Sequence, residues 1–185
     1  FDPSRPGRKL EVLVDGVSVA ERSLAWLAPS TDAIVVVARS TASPLARLAA
    51  SRSYVVVCPV LRNANQAGMG LSLAYGASCV IERFPAATTV VIALADMPWV
   101  SPATVAMLVT RSRTLDAIVQ PTYNGDKGHP VVFPARYLSE LAACGADVGA
   151  KNILRAHASN VLALDVDDAG VIRDVDVPED INPTR

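Results

Sequence analysis

Acidic side chains stand where the chain could hold a metal ion. Asp96 follows directly on an apolar, β-branched run, in the sequence Leu-Ala-Asp-Met-Pro at 94–98. Near the end of the chain, the alternation in Asp174-Val-Asp176 puts two carboxylates on one face of an extended segment. Carboxylate oxygens are hard ligands, which Mg²⁺ takes together with substrate phosphates. Structural roles are the alternative: Asp96 could cap the next helix, and the pair could lie on a solvated edge strand.

A glycine-rich stretch offers a second kind of contact, to a nucleotide. Gly68 and Gly70 allow the backbone to approach a ligand closely, and the helix that begins here has free N–H groups. Asn63 and Ser72 carry polar groups that could hydrogen-bond a base or a ribose. The stretch is neither a Walker A loop, since no Gly-Lys-Ser/Thr follows, nor a G-x-G-x-x-G dinucleotide fingerprint.

Three further polar residues are candidates for binding a second substrate. His129 comes shortly after the tight-turn sequence Asn124-Gly125, in what we predict to be a hairpin laid across the sheet. Asp147 and Lys151 stand at the start of a predicted helix, where Lys151 could point at an anion. A plain loop histidine and a simple helix cap by Asp147 are the alternatives.

The composition limits the classes of protein to which the chain can belong. It has 185 residues, 51% of them apolar, with a net charge of −1 and no cluster of basic residues, which argues against a nucleic-acid partner. Three widely spaced cysteines favour reduced thiols in a cytoplasmic protein. No apolar run is long enough to cross a bilayer, so we expect no membrane contact. The length suits one domain over 1–185.

The elements that must position these residues alternate between strands and helices. Apolar, β-branched runs predict strands at 33–38, 54–58, 88–95, 117–120 and 161–166. Helical spacing and caps predict helices at 19–28, from 43, at 70–83, from 101, from 134 and at 148–157. The alternation indicates an α/β fold, a mostly parallel sheet with helices on both faces, whose ligands bind at the carboxyl ends of the strands. The acidic residues at 165–168 are predicted to form a hairpin turn.

Five motifs, in this order along the chain, resemble those of the molybdenum cofactor cytidylyltransferase family, which is related to the MobA-type nucleotidyltransferases. They are Lys9-Leu10; Asn63 with Gly-Met-Gly-Leu-Ser-Leu at 68–73; Leu-Ala-Asp-Met-Pro at 94–98; Gly-His-Pro-Val-Val-Phe at 128–133; and Asp-Val-Gly-Ala-Lys at 147–151 with Asp-Val-Asp-Val-Pro-Glu-Asp at 174–180. Each motif is short, but the ordered set spans nearly the whole chain. The family usually has Arg at the position of Lys151.

The resemblance implies a Rossmann-like nucleotidyltransferase fold and a role for each candidate residue. Lys9 and Asp96 would be catalytic, and Lys9 would also hold the nucleotide phosphates. Mg²⁺ would bind Asp96 together with Asp174 or Asp176. The remaining implied roles are nucleotide contacts by Asn63, Gly68, Gly70 and Ser72, and acceptor contacts by His129, Asp147 and Lys151. A first strand and a Leu-Ala-Ala-Gly-type phosphate loop, which the family places before Lys9, are not found in the sequence.

The reaction that the resemblance implies is transfer of CMP from CTP to molybdopterin, with release of pyrophosphate. The partners would then be CTP, molybdopterin and a molybdoenzyme or its maturation chaperone. GTP in place of CTP and another phosphorylated acceptor, such as a sugar phosphate or phospholactate, remain alternatives. A non-catalytic nucleotide-binding domain without the phosphate loop is an alternative from a different class.

Overall fold

The computed structural model describes residues 8–60, 68–145, 149–176 and 180–181. The strands are β1 (Leu13–Val14), β2 (Val17–Ser18), β3 (Val35–Val37), β4 (Val55–Val57), β5 (Thr89–Ile92), β6 (Ile118–Tyr123), β7 (Asp126–Lys127), β8 (Val131–Pro134) and β9 (Val161–Asp165). The helices are α1 (Val19–Leu27), α2 (Pro44–Ser51), α3 (Met69–Arg83), α4 (Pro102–Leu115), α5 (Leu138–Ala142) and α6 (Lys151–Ala156). None of the helices in these ranges combines the length and the hydrophobicity needed to span a bilayer.

The main sheet places β5, β8, β6 and β9 side by side, with β7 paired to the end of β6. Because β8 is antiparallel to both β5 and β6, and β9 is parallel to β6, the strands β5, β6 and β9 run in one direction. Strands β3 and β4 form a parallel pair of their own. The prediction of an α/β fold with a mostly parallel sheet and flanking helices is therefore confirmed.

Side chains alternate between the two faces of the sheet, and helices cover both. On one face, Val119 and Val132 join a cluster with residues of α1, α2 and α4, of which Leu108 is fully buried. On the other face, Ile118 and Phe133 pack with residues of α3, α5 and α6. Burying both faces removes the apolar strands from water, and it holds the carboxyl ends of β5, β6 and β9 at one edge.

Serine caps start the helices that the sequence predicted from a cap followed by proline. The hydroxyl of Ser43 accepts a hydrogen bond from the N–H of Ala46 at the start of α2. Ser101 does the same for the N–H of Ala103 at the start of α4. A proline occupies the first helical position in both, where its missing N–H costs nothing and its fixed φ suits the helix.

The hairpin predicted before His129 forms between β6 and β7, but it is not laid across the sheet, and that part of the prediction is wrong. The turn itself is as expected, since Asn124 and Gly125 both have positive φ and connect β6 to β7. After β7, however, the chain enters the sheet as β8, between β5 and β6. All four residues of β8 are buried, so its apolar side chains pack on both faces instead of covering one.

The acidic turn predicted at 165–168 is also wrong. Strand β9 ends at Asp165, and the chain then enters a 3-10 turn over Ala169–Ile172. Asp168 is the N-cap of that turn, because its side chain accepts a hydrogen bond from the N–H of Gly170. Asp and Gly favour both caps and turns, so their local sequence does not distinguish a hairpin turn from a capped 3-10 turn.

Candidate active site

Asp96 follows β5, and hydrogen bonds from two other segments fix the backbone at this point. The carbonyl oxygen of Asp96 accepts a hydrogen bond from the N–H of Val175 at 2.9 Å. The carbonyl oxygen of the next residue, Met97, accepts one from the indole N–H of Trp26 in α1 at 2.8 Å. Met97 itself is buried. These contacts leave the Asp96 side chain, which is 20% exposed, pointing outward from a fixed backbone.

Asp174 and Asp176 present their carboxylates on the same side because the residue between them is buried. Val175 has no exposed surface and packs with Val14 and Val19. In an extended segment, this burial turns the residues before and after it toward solvent, and both aspartates are exposed. Oxygens of Asp96, Asp174 and Asp176 lie within 4.8 Å of one another.

Lys9 lies among these carboxylates. It belongs to a 3-10 turn over Arg8–Glu11, and its Nζ is 2.6 Å from Asp96 Oδ2 and 2.8 Å from Asp176 Oδ1. Burial by itself lowers the pKa of Lys9, but hydrogen bonds to Asp176 and Asp96 outweigh that effect and raise the pKa above its ordinary value. The ammonium group therefore stays charged at neutral pH.

The cluster is negative overall, since three carboxylates and one ammonium give a net charge of −2. Burial raises the pKa of Asp174 above its ordinary value, and the charge of Asp176 raises it further. Asp96 adds to the same effect, which Lys9 only partly offsets. A cation placed among these groups would relieve the repulsion that raises this pKa.

The donor set fits a hard divalent cation. Carboxylate oxygens are the protein ligands that Mg²⁺ and Mn²⁺ prefer, and one or two of them together with phosphates and waters complete the usual Mg²⁺ shell. The 4.8 Å spacing lets Asp96 and at least one member of the Asp174–Asp176 pair reach one ion. The structure thus brings together all three residues of the predicted metal set, together with Lys9.

His129 lies at the same edge of the sheet as Asp96. It lies two residues before β8, whose Val131 pairs with Ile92 at the end of β5. Burial lowers the pKa of the His129 imidazole, and a hydrogen bond to the backbone of Ile92 and the charge of Asp96 only partly offset this. The Nδ1 atom is buried and has no hydrogen-bond partner among the described residues. His129 is thus a neutral imidazole close enough to Asp96 to feel its charge.

The predicted nucleotide contacts lie at the beginning of α3. Gly68 is the N-cap of this helix, and the Ser72 hydroxyl donates to the Gly68 carbonyl oxygen at 3.5 Å. Gly70 is buried, and a Cβ there would overlap the carbonyl oxygen of Gly145. Lys151 is exposed at the start of α6. Neither Asn63 nor Asp147 falls within the described residues.

Sequence reasoning missed a group of contacts between the residues that follow Asp96 and those that precede Asp174. The guanidinium of Arg173 lies over the Trp99 ring, 4.2 Å from its centroid. The carboxylate of Asp168 accepts hydrogen bonds from the N–H of Ser101 and the hydroxyl of Thr104. The partners are more than 60 residues apart in the chain, and no local pattern could have paired them.

Solved structures of other proteins have the same fold. Rv0371c from Mycobacterium tuberculosis H37Rv is 23% identical, with a TM-score of 0.73 over 99% of this chain and 92% of that one, and a second structure of it, a complex with manganese, is 22% identical and has a TM-score of 0.67 over 95% and 89%. The 4-diphosphocytidyl-2C-methyl-D-erythritol synthase of Anaerococcus prevotii is 14% identical, with a TM-score of 0.67 over 91% and 85%. Molybdopterin-guanine dinucleotide biosynthesis protein A from Archaeoglobus fulgidus is 16% identical, with a TM-score of 0.59 over 95% and 87%.

The fold is that of an α/β nucleotidyltransferase. The sequence profile of the MobA-like NTP transferase domain matches residues 4–161. The chain therefore belongs to the MobA-like NTP transferase domain family, and the predicted relation to MobA-type nucleotidyltransferases is confirmed. A search of the curated protein sequences found no match.

Proposed function

We propose that this protein is a Mg²⁺-dependent cytidylyltransferase that transfers CMP from CTP to molybdopterin and releases pyrophosphate. The convergence of Asp96, Asp174 and Asp176 around Lys9 carries the proposal. Three carboxylates and one ammonium, with a net charge of −2, attract a divalent cation, and the charged lysine can hold the phosphates that such a cation accompanies. Membership of an NTP transferase family supports a triphosphate as the donor.

The site residues have separate roles in the proposed reaction. Asp96, with Asp174 or Asp176, would hold the metal, and Lys9 would turn from its carboxylate partners to the phosphates of the bound nucleotide. Mg²⁺, when bound, supplies positive charge that neutralises the phosphate oxygens and orients them. Lys9 adds a second positive charge from the protein itself. Catalysis of this kind rests on positioning and charge stabilisation.

The reaction is an in-line displacement at the α-phosphorus of CTP. A terminal phosphate oxygen of the acceptor forms the new P–O bond, and the bond from the α-phosphorus to the bridging oxygen of the β-phosphate breaks. Pyrophosphate leaves with that bridging oxygen. The attacking oxygen is already ionised at neutral pH, so no side chain is required to remove a proton. This agrees with a cluster that offers carboxylates and a lysine but no nucleophile paired with a base.

The substrate assignments rest on the remaining site residues. Gly68, Gly70 and Ser72, together with Asn63, would contact the base, and the run Gly-Met-Gly-Leu-Ser at 68–72 resembles the cytidylyl branch more than the guanylyl branch. His129, Asp147 and Lys151 would line the acceptor side. The product would pass to a molybdoenzyme or its maturation chaperone. Because the similar structures include one named for a cytidyl product and one for a guanine dinucleotide, GTP is the main competing donor.

Pyrophosphate release tests the proposed function. Full-length protein is incubated with molybdopterin and each of the four NTPs in turn, with and without Mg²⁺. We expect release with CTP that depends on both molybdopterin and Mg²⁺. Release with GTP alone would change the base but keep the reaction class. No release with any NTP and Mg²⁺ would overturn the proposed reaction with molybdopterin.

Asp96→Asn tests the metal site within that reaction. The backbone hydrogen bond from Val175 to Asp96 does not involve the side chain, so we expect the variant to fold. Activity should fall by about a hundredfold or more, because a charged group that acts on the transition state is lost. Asp32→Asn is the matched control, since Asp32 is exposed and precedes β3 at its amino end. Equal activity in both variants would remove Asp96 from the site.

A further inference from the structure

Asp168 connects two parts of the chain that are far apart in sequence. Its Oδ2 accepts hydrogen bonds from the N–H of Ser101 at 2.9 Å and from the hydroxyl of Thr104 at 2.7 Å. Its Oδ1 accepts a third, from the N–H of Gly170 at 3.0 Å. One carboxylate therefore caps the start of α4 and the 3-10 turn over Ala169–Ile172 at the same time.

Two more contacts join the same segments. A Cβ at Gly170 would overlap the carbonyl oxygen of Trp99, so the two backbones touch where only glycine fits. The guanidinium of Arg173 lies over the Trp99 ring, a geometry that attracts a cation to the ring face. We name this group the clasp, and it consists of Trp99, Ser101, Thr104, Asp168, Gly170 and Arg173.

The clasp joins the two chain segments that carry the carboxylates of the cluster. Asp96 is three residues before Trp99, and Asp174 directly follows Arg173. The hydrogen bond from the N–H of Val175 to the carbonyl oxygen of Asp96 continues the clasp into the cluster. The carboxylates repel one another at 4.8 Å or less. Lys9 bridges Asp96 and Asp176, and the clasp adds contacts between the backbones of the two stretches.

We propose that Asp168 is a positioning residue that sets the separation of Asp96 from the Asp174–Asp176 pair and thereby the affinity of the site for a divalent cation. The inference rests on the proposed metal site. Asp168 touches none of the three carboxylates and acts through the backbone of both stretches. Residues that orient metal ligands without binding the metal change its affinity by about 10- to 100-fold when replaced.

The first test measures binding of Mn²⁺ to the free protein by electron paramagnetic resonance. Asp168→Asn keeps one acceptor oxygen but loses the charge, and we expect its dissociation constant for Mn²⁺ to rise about tenfold. Thr104→Val removes one donor to the same carboxylate without a change of charge. We expect a smaller rise of about threefold, because two of the three hydrogen bonds to Asp168 remain. Thr104→Val also carries the test if Asp168→Asn does not fold.

Asp167→Asn is the matched control. Asp167 is exposed, directly precedes Asp168, and makes no hydrogen bond or ion pair with any residue that the structure describes. The substitution removes the same charge at almost the same place, so it measures the long-range electrostatic effect alone. Its dissociation constant should stay within about twofold of the wild type, as expected for a solvated charge on the surface.

Amide hydrogen exchange in the absence of metal tests whether the clasp holds the backbone at Val175. The Val175 N–H should exchange faster in Asp168→Asn and Thr104→Val than in the wild type. The Ala38 N–H, which donates to Val57 at the end of the β3–β4 pair, should be unchanged. A variant that is only less stable overall would accelerate both amides.

The activity measurements separate positioning from general damage. In Asp168→Asn, the Mg²⁺ concentration for half-maximal activity should rise in parallel with the Mn²⁺ constant, and kcat at saturating metal should return to within about threefold of the wild type, since the ligands remain. Unchanged Mn²⁺ affinity in Asp168→Asn, or in Thr104→Val if only that variant folds, would overturn the inference and leave the proposed function standing. A wild-type protein that binds no Mn²⁺ would overturn both.

Discussion

Lys9 shares its carboxylate partners with the proposed metal. Its Nζ lies within hydrogen-bond distance of Asp96 and Asp176, whose oxygens are also proposed as metal ligands. Two positive charges in one small site repel each other, so the lysine that helps to bind the triphosphate also weakens binding of metal to the free protein. The Lys9 side chain therefore favours binding of the triphosphate and disfavours binding of the metal.

Lys9→Met should make this conflict measurable. Without the ammonium, the three carboxylates carry a charge of −3. The affinity of the free protein for Mn²⁺ should rise about thirtyfold, which corresponds to roughly 2 kcal/mol, the Coulomb energy of a single and a double charge about 4 Å apart in water. The rate of pyrophosphate release should fall by about a hundredfold or more, because a phosphate-binding charge is lost. Titration calorimetry and the activity assay give the two values.

Lys127→Met is the control for this change. Lys127 is exposed in β7 and makes no ion pair with any residue in the described ranges, so its loss should alter neither value by more than about twofold. Weaker Mn²⁺ binding in Lys9→Met would contradict the shared-carboxylate account. It would show that Lys9 acts by holding the site in shape.

At the scale of elements, the start of α3 is fixed by a close backbone contact. Gly70 is buried against the carbonyl oxygen of Gly145, in the segment that leads from α5 toward α6. The glycine that the sequence suggested for close approach to a nucleotide is thus required for close approach between two parts of the protein. The contact ties the predicted nucleotide loop to the segment that carries the predicted acceptor residues.

Gly70→Ala should reduce the free energy of unfolding by about 1–3 kcal/mol, the usual cost of forcing extra volume into a packed site. Gly76→Ala in the same helix is the comparison, because its Cβ would lie 3.1 Å from Val37 Cγ2, a side chain that can shift. The gain in helix propensity of about 1 kcal/mol should offset that contact. Urea unfolding measures the free energy of unfolding of both variants. Equal values would contradict the requirement for glycine at position 70.

The stability of the whole molecule should depend on pH through His129. Burial holds the pKa of its imidazole below the ordinary value of 6.5, which the unfolded chain keeps. As the pH falls through that value, the unfolded chain takes up a proton and the folded protein does not. The folded state therefore loses stability as the pH falls toward the lower pKa, and above the ordinary pKa this contribution is fully retained.

His129→Gln should flatten this dependence. We expect the free energy of unfolding of the wild type to be lower at pH 5.5 than at pH 7.5, and the difference to be smaller in the variant. The chain has two histidines, so the comparison isolates one of them. Urea unfolding at both pH values measures it, and a variant with the same or a steeper loss would show that His129 is not the buried group responsible.

The local features of the fold could be predicted because their causes lie within a few residues. The run of valines in β3, the cap and proline at Ser101 and the turn at Asn124-Gly125 each depend on the preferences of adjacent residues, and the structure has all three. The shared side of Asp174 and Asp176 follows in the same way from their alternation about Val175.

Contacts between distant residues depended on the tertiary structure. Val131–Pro134 is apolar whether it covers the sheet or enters it, and only packing against both layers places it between β5 and β6. The approach of Lys9 to Asp96 and the capping of α4 by Asp168 are likewise absent from any local pattern. Sequence periodicity determines which face a side chain occupies, whereas the burial of whole faces determines which distant segments meet.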